Sequence, residues 1–365
     1  MIASSDPPRD ERFLEVRDLV KLYPVPRGII GRMLRRPKRW VHAVDGISFA
    51  MRRGEILALV GESGSGKTTT GLCVLGLLEP SSGGVSLAGE DVVYLARTRR
   101  RQFRRRAQMI FQDPYESLNP RQTVFSAVAE PLEVHRLATG PVEKTNKVAA
   151  ALEAAGLKPP SEYYKRYPQQ LSGGQRQRVA IASALVLEPQ VVVADEPVSM
   201  LDVSIRAEIL GLLLRMRDQH EITILYITHD LATAAYVADR VAVMYLGVIV
   251  EIGPAMSVLQ RPSHPYTRSL MSVLPTPNPR RRRKRMVLQG ETPNPIDLPS
   301  GCRFHPRCPE IRESCRATVP SLREVEPGHY AMCGTPRPLN GHQLAPVGLN
   351  GSTGFTAEAP KHGSA

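Results

Sequence analysis

The feature that most constrains this 365-residue chain is a glycine-rich segment, GESGSGKT, at residues 61–68. It fits the pattern GxxxxGK[ST] and lies between an apolar, strand-like run at 56–60 and an apolar, helix-like stretch at 68–78. Backbone amides, a helix N-terminus, a lysine and a hydroxyl at this spacing are the groups that bind a triphosphate. The segment therefore predicts a nucleotide site on an α/β fold rather than a Gly/Ser turn before an ordinary helix.

Each position of this P-loop has an expected task. The glycines let the backbone turn its N–H groups toward the phosphates. The lysine can reach the β- and γ-phosphates, and the hydroxyl of Thr68 can ligate Mg²⁺. The predicted nucleotide-binding residues of the segment are Gly61, Ser63, Gly64, Ser65, Gly66, Lys67, Thr68 and Thr69.

Two carboxylates follow a second apolar run, at 191–194. Asp195 is a candidate Mg²⁺ ligand, because the tip of a strand beside a P-loop is where such a ligand belongs. Glu196 is then placed to polarise the attacking water as a general base. The alternative is an acidic pair that only caps the following helix.

Composition and charge restrict the class of protein. No run reaches the ~18 apolar residues of a membrane span, and Gly247 in the longest candidate, 241–250, indicates a buried hairpin. The N-terminus lacks the apolar core of a signal peptide, so we expect a cytosolic chain. The net charge is +13, with arginine runs near 34–39, 97–106 and 280–285. These runs indicate solvated faces or an anionic partner, but the scarcity of aromatics around them argues against a base-stacking surface.

A second motif, LSGGQ at 171–175, narrows the family. Together with the P-loop it resembles the nucleotide-binding subunit of an ABC-type ATPase, over roughly residues 13–335. The resemblance implies an α/β P-loop NTPase fold, in which a mixed sheet with a RecA-like core carries a helical subdomain at about 115–185 and a small Cys-containing C-terminal extension. The expected division is a nucleotide-binding domain at 13–260 and a C-terminal region at 261–338. Residues 1–12 are expected to be disordered and 339–365 to form a flexible tail.

The resemblance also assigns roles to single residues. Gln112 matches the Q-loop glutamine, which links Mg²⁺ and water to the transmembrane partner. His229 matches the histidine that contacts the γ-phosphate. Tyr23 matches the aromatic residue that stacks on adenine, with Trp40 as its competitor.

The same resemblance implies a dimer. The LSGGQ residues of one subunit would bind the γ-phosphate held by the other, so ATP would join two chains head to tail. The residues concerned are Ser172, Gly173, Gly174 and Gln175. Asp202 ends a D-loop-like segment, SMLD, in which Met200 is the only departure from the usual wording. A helix-capping turn is the plainer alternative for the SGG sequence.

Several segments resemble more narrowly the ATPase subunits of oligopeptide and dipeptide importers. They are FQDPYESLNPR (111–121), HPYTRSL (264–270) and GCRFHPRC (301–308). The insertion before Val41 resembles the second of the two ATPases that such importers carry. The implied function is ATP-driven peptide uptake from the cytoplasmic face of the membrane. The implied partners are two transmembrane permease subunits, a second homologous ATPase and, indirectly, an extracytoplasmic solute-binding protein. No nucleic acid is expected. A soluble ABC-type ATPase acting on nucleic acid or ribosomes is the alternative, but the chain has one cassette and no heptad run.

A Pro/Arg-rich stretch of about 30 residues contains four cysteines. They are Cys302, Cys308, Cys315 and Cys333. A cytosolic location argues against disulfides. Structural zinc sites more often contain CxxC pairs, whereas wider spacing fits a cubane cluster. The resembled importer ATPases are thought to carry a 4Fe–4S site, which we therefore expect here, with zinc or unligated thiols as alternatives. Cys73, in the helix after the P-loop, is expected to be core packing.

Overall fold

The computed structural model describes residues 6–8, 11–27, 37–113, 117–273, 286, 288 and 290–334. The arginine run at 280–285, residues 28–36 of the insertion and the tail at 339–365 lie outside these described residues. Within the described ranges, no helix is both long and apolar enough to cross a membrane.

An eight-stranded mixed sheet forms the centre of the fold. Its strands are β3 (Ile56–Val60), β6 (Ala107–Ile110), β7 (Val191–Asp195), β8 (Thr223–Thr228), β9 (Arg240–Tyr245), β10 (Val248–Pro254), β11 (Arg323–Glu326) and β12 (His329–Ala331). They are ordered β11-β12-β10-β9-β3-β8-β7-β6, and the five from β9 to β6 run parallel. The carboxyl ends of β3, β6, β7 and β8 therefore meet at one edge of the sheet.

Both faces of this sheet are covered, as the apolar runs predict. Ile56, Ala58 and Val60 of β3 join one hydrophobic core, while Leu57 and Leu59 join the other. All five side chains are fully buried. Successive strand residues point to opposite faces, so an uninterrupted apolar strand needs a layer on each side.

A four-stranded antiparallel sheet and three helices cover one face. The strands are β1 (Leu14–Pro24), β2 (Trp40–Met51), β4 (Ser82–Leu87) and β5 (Glu90–Asp91), in the order β2-β1-β4-β5. The helices are α1 (Lys67–Val74), α2 (Val92–Thr98) and α3 (Arg100–Arg106). Cys73 of α1 is buried in this core, which confirms its expected packing role, and burial raises the pKa of its thiol to about 11.

Helices cover the other face. They are α4 (Val124–His135), α5 (Pro141–Ala154), α6 (Gly173–Leu185), α7 (Val203–His220) and α8 (Leu231–Val237). Two short 3₁₀ turns, Pro160–Glu162 and Pro168–Gln170, join α5 to α6. The helices α4, α5 and α6 all lie within residues 115–185, where the resemblance implies a helical subdomain.

Two local predictions can be compared directly with the structure. Residues 241–250 form the β9–β10 hairpin, with Gly247 at φ +83° in its turn, as predicted. The helix predicted at 68–78 is shorter, because α1 ends at Val74 and Gly76 follows with φ +56°. A glycine in the left-handed region is a common helix stop, since it carries no Cβ to clash.

The N-terminal segment differs from the expected disorder at Asp6. Its carboxylate is buried, accepts a hydrogen bond from the Ala50 N–H at 3.0 Å and forms an ion pair with Arg240 at 2.9 Å. Arg240 also pairs with Glu55 at 3.0 Å. A buried guanidinium needs counter-charges, and the N-terminal segment supplies one of them.

The C-terminal part continues the large sheet. After β10 come α9 (Ala255–Gln260) and α10 (Pro265–Ser272), and later α11 (Ser314–Ala317) precedes β11 and β12. Glu251 of β10 is fully buried, accepts hydrogen bonds from the N–H groups of Ser263 and His264, and lies 2.7 Å from His329 Nε2. This buried polar group ties three separate segments of the chain together.

Candidate active site

Four loops converge where the parallel strands end. The P-loop follows β3, Gln112 follows β6, Glu196 follows β7 and His229 follows β8. Binding crevices in parallel α/β sheets lie outside the carboxyl ends of the strands. Residues separated by up to 168 positions in the chain are thus brought to one place by strand order.

The P-loop depends on its glycines for two different reasons. A Cβ on Gly61 would lie 2.1 Å from the Met244 carbonyl oxygen, and one on Gly66 would lie 2.1 Å from that of Ala43. Gly64 has φ +76° but nothing within 4 Å of its Cβ position. The loop is therefore pressed onto neighbouring backbone at both ends and open at its tip, where Ser63 and Gly64 are exposed.

Lys67 is buried at the start of α1 and bonded to its own loop. Its Nζ donates to the carbonyl oxygens of Gly61 at 2.7 Å and Glu62 at 2.9 Å. Burial lowers the pKa of Lys67, while the carboxylates of Glu196, Asp195 and Glu62 act in the opposite direction. The ammonium is thus held at the loop in a place where a phosphate oxygen could replace the carbonyls.

Asp195 and Thr68 lie together beside Lys67. Burial raises the pKa of Asp195, and the hydrogen bond from the Thr68 hydroxyl acts against that rise. A carboxylate and a hydroxyl are hard oxygen donors, the kind that Mg²⁺ takes together with phosphate oxygens and water. This donor set fits a nucleotide-bound magnesium ion.

Glu196 is held by the two other predicted catalytic residues. His229 Nδ1 lies 3.0 Å from Glu196 Oε2, and Gln112 Nε2 donates to the same oxygen at 3.3 Å. The Glu196 side chain is 16% exposed, so water reaches the carboxylate. Its backbone has φ +45°, a left-handed conformation that is uncommon for a residue with a side chain and is typical of functional sites.

The LSGGQ segment lies at a different place. Ser172 caps α6 in a capping box, accepting from the Gln175 N–H at 3.3 Å while the Gln175 side chain accepts from the Ser172 N–H at 3.1 Å. A Cβ on Gly174 would lie 2.6 Å from Ile205 Cγ2, so a larger residue does not fit. Across the described ranges, no hydrogen bond joins residues 172–175 to the P-loop, and the structure does not bring the two motifs together.

The aromatic candidates lie on adjacent positions of the β1–β2 hairpin. Tyr23 is opposite Val41, and Trp40 is opposite Pro24. Consecutive cross-strand pairs project to opposite faces, so the two rings cannot stack on the same base. Asp202 begins α7, is exposed and makes no side-chain capping bond.

The sequence did not predict the side chains that hold the second P-loop residue, Glu62. Arg307 Nη1 and Thr292 Oγ1 both donate to Glu62 Oε2, at 2.8 and 2.7 Å, and the Glu62 N–H donates to the Tyr266 hydroxyl at 3.0 Å. These partners lie more than 200 positions along the chain, beyond the reach of periodicity or motif spacing.

The four C-terminal cysteines are close enough to influence one another. Burial raises the pKa of the Cys302 thiol, and Cys315 and Cys333 raise it further. Burial likewise raises the pKa of Cys308, to about 11. Within the described part of the chain, however, no group of three or more His, Cys, Asp or Glu side chains is arranged to hold a metal ion.

Comparison with known proteins adds a family. Residues 44–199 match the family described as ABC transporter, and residues 250–315 match the oligopeptide/dipeptide transporter C-terminal region. The di/tripeptide transport ATP-binding protein DppF of Pseudomonas aeruginosa is 45% identical over 316 residues, which is 87% of this chain and 95% of its own. A putative peptide import ATP-binding protein of Brucella ovis is 48% identical over 290 residues, covering 80% and 90%.

Solved structures give the same picture of the fold. A dimeric, post-hydrolysis structure of the ATP-binding cassette MJ0796 with ADP and Pi matches with a TM-score of 0.58 at 26% identity, over 66% of this chain and 98% of its own. CbiO1 from Clostridium perfringens, part of the transporter complex cbiONQ, matches with a TM-score of 0.57 at 30% identity, over 68% and 90%.

Proposed function

Because this chain belongs to the ABC transporter family and carries the oligopeptide/dipeptide transporter C-terminal region, we propose that it is the ATP-hydrolysing subunit of an importer for di- and oligopeptides. The observation that carries the proposal is the contact of Glu196 with both Gln112 and His229, next to Asp195 and Lys67. A base, a magnesium ligand and a phosphate-binding cation are thus assembled at one sheet edge.

The residues divide the work as follows. The P-loop amides and Lys67 would bind the β- and γ-phosphates, and Thr68, Asp195 and Gln112 would hold Mg²⁺, whose charge would offset that of the phosphates. Glu196 accepts the proton of the attacking water, and His229 orients this carboxylate and contacts the γ-phosphate. The adenine stacks on Tyr23.

The arrangement of the LSGGQ segment supports a head-to-tail dimer with a second homologous ATPase. Within the described ranges, residues 172–175 are bonded to one another and not to the P-loop, so they would exchange these bonds for those of a nucleotide on another subunit. Beside the exposed Asp202, Met200 and Val203 are 59% and 81% exposed. Exposed apolar side chains next to a functional loop are typical of a contact surface. The MJ0796 cassette, to which this chain is similar, is dimeric in its post-hydrolysis structure.

The transmembrane permease subunits have a candidate docking groove. A cavity of about 300 Å³ lies between the segment after Gln112 and helix α4, lined by Gln108, Ser117, Leu118, Gln122, Pro131 and Val134. Val134 is 59% exposed. The groove adjoins the loop that carries Gln112, so a segment of the permease bound there would move with a residue that contacts Glu196. Through this contact the chain would lie on the cytoplasmic face of the membrane, in a complex served by an extracytoplasmic solute-binding protein.

The four cysteines support a structural 4Fe–4S cluster, with zinc as the alternative. The mutual approach of the four thiols, and the raised pKa values of Cys302 and Cys308, are what a cation would relieve, since the thiolate is the ligand. Loading would require the side chains to close up. Protein purified under anaerobic conditions should contain about four iron and four sulfide per chain if the proposal is right. Stoichiometric zinc, or no metal, would refute the cluster without affecting the ATPase proposal.

We further propose a nucleotide-binding domain at 13–260, with its helical subdomain at about 115–185, followed by a C-terminal region at 261–338. The two matched families, at 44–199 and 250–315, support this division.

The decisive test separates binding from hydrolysis. In the assembled transporter, Glu196→Gln should retain ATP binding, accumulate a closed dimer and lower turnover by ~10²–10⁴, the usual cost of losing a general base. Lys67→Ala should weaken ATP binding itself. Turnover of the glutamine variant at the parent rate would remove Glu196 from the role of base. Tagged protein recovered from membranes with two multi-span proteins would support import, whereas recovery with ribosomes or nucleic acid would favour the soluble alternative.

A further inference from the structure

Side chains of the C-terminal region bind the P-loop through the carboxylate of Glu62. Glu62 Oε2 accepts hydrogen bonds from Arg307 Nη1 at 2.8 Å and Thr292 Oγ1 at 2.7 Å, and Arg307 Nη1 also donates to Thr292 Oγ1 at 3.2 Å. Arg307 Nη2 donates to Glu62 Oε1 at 3.3 Å, which makes the ion pair bidentate. The Arg307 side chain is 10% exposed, so solvent screens this pair only weakly.

Glu62 is also hydrogen-bonded to Lys67, the predicted phosphate-binding lysine. The Glu62 carbonyl oxygen accepts from Lys67 Nζ at 2.9 Å and from the Ser65 N–H at 3.2 Å. On the opposite side, the Glu62 N–H donates to the Tyr266 hydroxyl at 3.0 Å. Glu62 therefore links the two ends of the P-loop to helix α10 and to the segment that carries Arg307.

That segment is itself firmly supported. Arg303 donates to the Leu246 carbonyl oxygen in the β9–β10 turn and forms an ion pair with Asp45 of β2, so it is anchored on both elements. The Arg307 guanidinium lies 6.0 Å from the centroid of the Tyr245 ring. Tyr245 packs in turn against Phe304 and Tyr266, with centroids 5.3 and 4.7 Å away. Arg307 is held on a buried aromatic cluster and is not free to follow a moving loop.

We propose that Arg307 is a positioning residue for ATP: it acts through Glu62, whose carboxylate it neutralises beside the phosphate-binding loop. The inference rests on the proposed ATPase function and concerns the same site. Without Arg307, the Glu62 carboxylate would be an unpaired anion in the loop that must accept a triphosphate. It would repel the phosphates and compete with them for the Lys67 ammonium, which already donates to the Glu62 carbonyl oxygen at 2.9 Å.

A double-mutant cycle that removes each charge of the pair, in the full-length chain, tests this role. Mg²⁺-ATP is titrated into the parent, Arg307→Ala, Glu62→Gln and the double variant. Arg307→Ala should raise the Kd about five- to tenfold, the effect of a like charge several ångströms from the triphosphate at protein-surface dielectric. Glu62→Gln should bind more tightly than the parent, since Arg307 becomes an unpaired cation. The double variant should return to within about twofold of the parent, because it lacks both charges.

A matched control separates positioning from stability. Arg268, in the same C-terminal region, is also nearly buried and pairs with Glu310 at 2.6 Å; within the described residues it makes no hydrogen bond or ion pair with the P-loop. Arg268→Ala should lower the Tm as Arg307→Ala does but leave the Kd for Mg²⁺-ATP unchanged. In the assembled transporter, Arg307→Ala should raise KM while kcat stays near the parent value, because Glu196 and His229 are untouched.

The outcomes distinguish a positioning role of Arg307 from a structural one, and both from failure of the proposed function. A Kd for Arg307→Ala equal to that of the parent would overturn the positioning role. Equal impairment of Arg307→Ala and the double variant would also overturn it, since a merely structural arginine is not rescued by removing a charge. Lack of ATP binding by the parent chain would refute the proposed function, and the role of Arg307 with it.

Discussion

Alanine substitution at two glycines of the P-loop should affect stability and nucleotide binding to different degrees. Gly66→Ala should mainly lower stability, and Gly64→Ala should mainly weaken binding. At Gly66, φ is +106° and an added Cβ would lie 2.1 Å from the Ala43 carbonyl oxygen and 2.7 Å from Met244 Cε. Gly66→Ala should therefore destabilise the protein by about 2–5 kcal/mol, from ~1–2 for a left-handed side-chain-bearing residue and ~1–3 for overpacking. At Gly64 only the first contribution applies, about 1–2 kcal/mol, because its Cβ position is open.

Gly64→Ala should weaken nucleotide binding directly, although it costs less stability than Gly66→Ala. The open space at Gly64 is at the exposed tip of the loop, where the backbone N–H groups must approach the phosphates closely. A methyl group there should weaken Mg²⁺-ATP binding by about tenfold or more, at ~1.4 kcal/mol per tenfold, while most of the stability remains. Gly66→Ala should lose stability first, and binding as a consequence.

Urea denaturation and Mg²⁺-ATP titration of the full chain measure both quantities. Gly84→Ala in β4 is the matched control, since its φ lies outside the left-handed region and its Cβ would have no neighbour closer than 4.0 Å. It should change stability by less than about 0.5 kcal/mol and leave binding intact. If Gly66→Ala unfolded at the same urea concentration as Gly84→Ala, the inference from close backbone approach would be wrong.

Three further predictions concern buried charges. Burial, and secondarily Arg268, lower the pKa of His264 from 6.5 to about 3, so the neutral form is required in the folded state. Stability should therefore fall as pH drops below the unfolded-state pKa, by about 2 kcal/mol between pH 7.5 and 5. His264→Asn, which keeps an acceptor for the Tyr266 N–H, should remove that part of the pH dependence in urea denaturation. Arg240→Leu should cost about 3–5 kcal/mol by leaving Asp6 and Glu55 buried without their cation, and Asp6→Asn should restore part of it. Saturating Mg²⁺-ATP at 100 times Kd should stabilise the parent by about 2.7 kcal/mol, and Lys67→Met should abolish the accompanying rise in Tm.

The sequence predicted the sheet and the placement of its functional loops because both depend on local signals. The runs at 56–60 and 191–194 are apolar at every position, and 222–227 is apolar except for Thr223, a pattern that suits a sheet covered on both faces. Parallel strands end at one edge, so motifs that follow them must converge. Gln112, Glu196 and His229 meet for that reason, although 117 residues separate the first from the last.

Contacts between distant segments could not be predicted in this way. The pairing of Glu62 with Arg307 spans 245 positions, and neither residue belongs to a pattern that specifies the other. Asp6 has no helical or strand periodicity, and its burial follows only from the unmet charge of Arg240. Spacing alone does not determine the directions of the four thiols, and no metal-holding group is found in the described ranges.

The functional residues of the chain are already hydrogen-bonded to one another, and this bears on how hydrolysis is controlled. Lys67 is bonded to the carbonyl oxygens of Gly61 and Glu62, so ATP must replace those bonds with phosphate oxygens. Ser172 and Gln175 are bonded to each other, and they must exchange bonds in the same way to bind a nucleotide on a partner subunit. Each exchange replaces one hydrogen bond with another, so its net free energy is small unless a charged phosphate is the new acceptor. Binding of the triphosphate is therefore the step that makes both exchanges favourable. Without nucleotide, the hydrogen bonds of Lys67, Ser172 and Gln175 within the chain should persist.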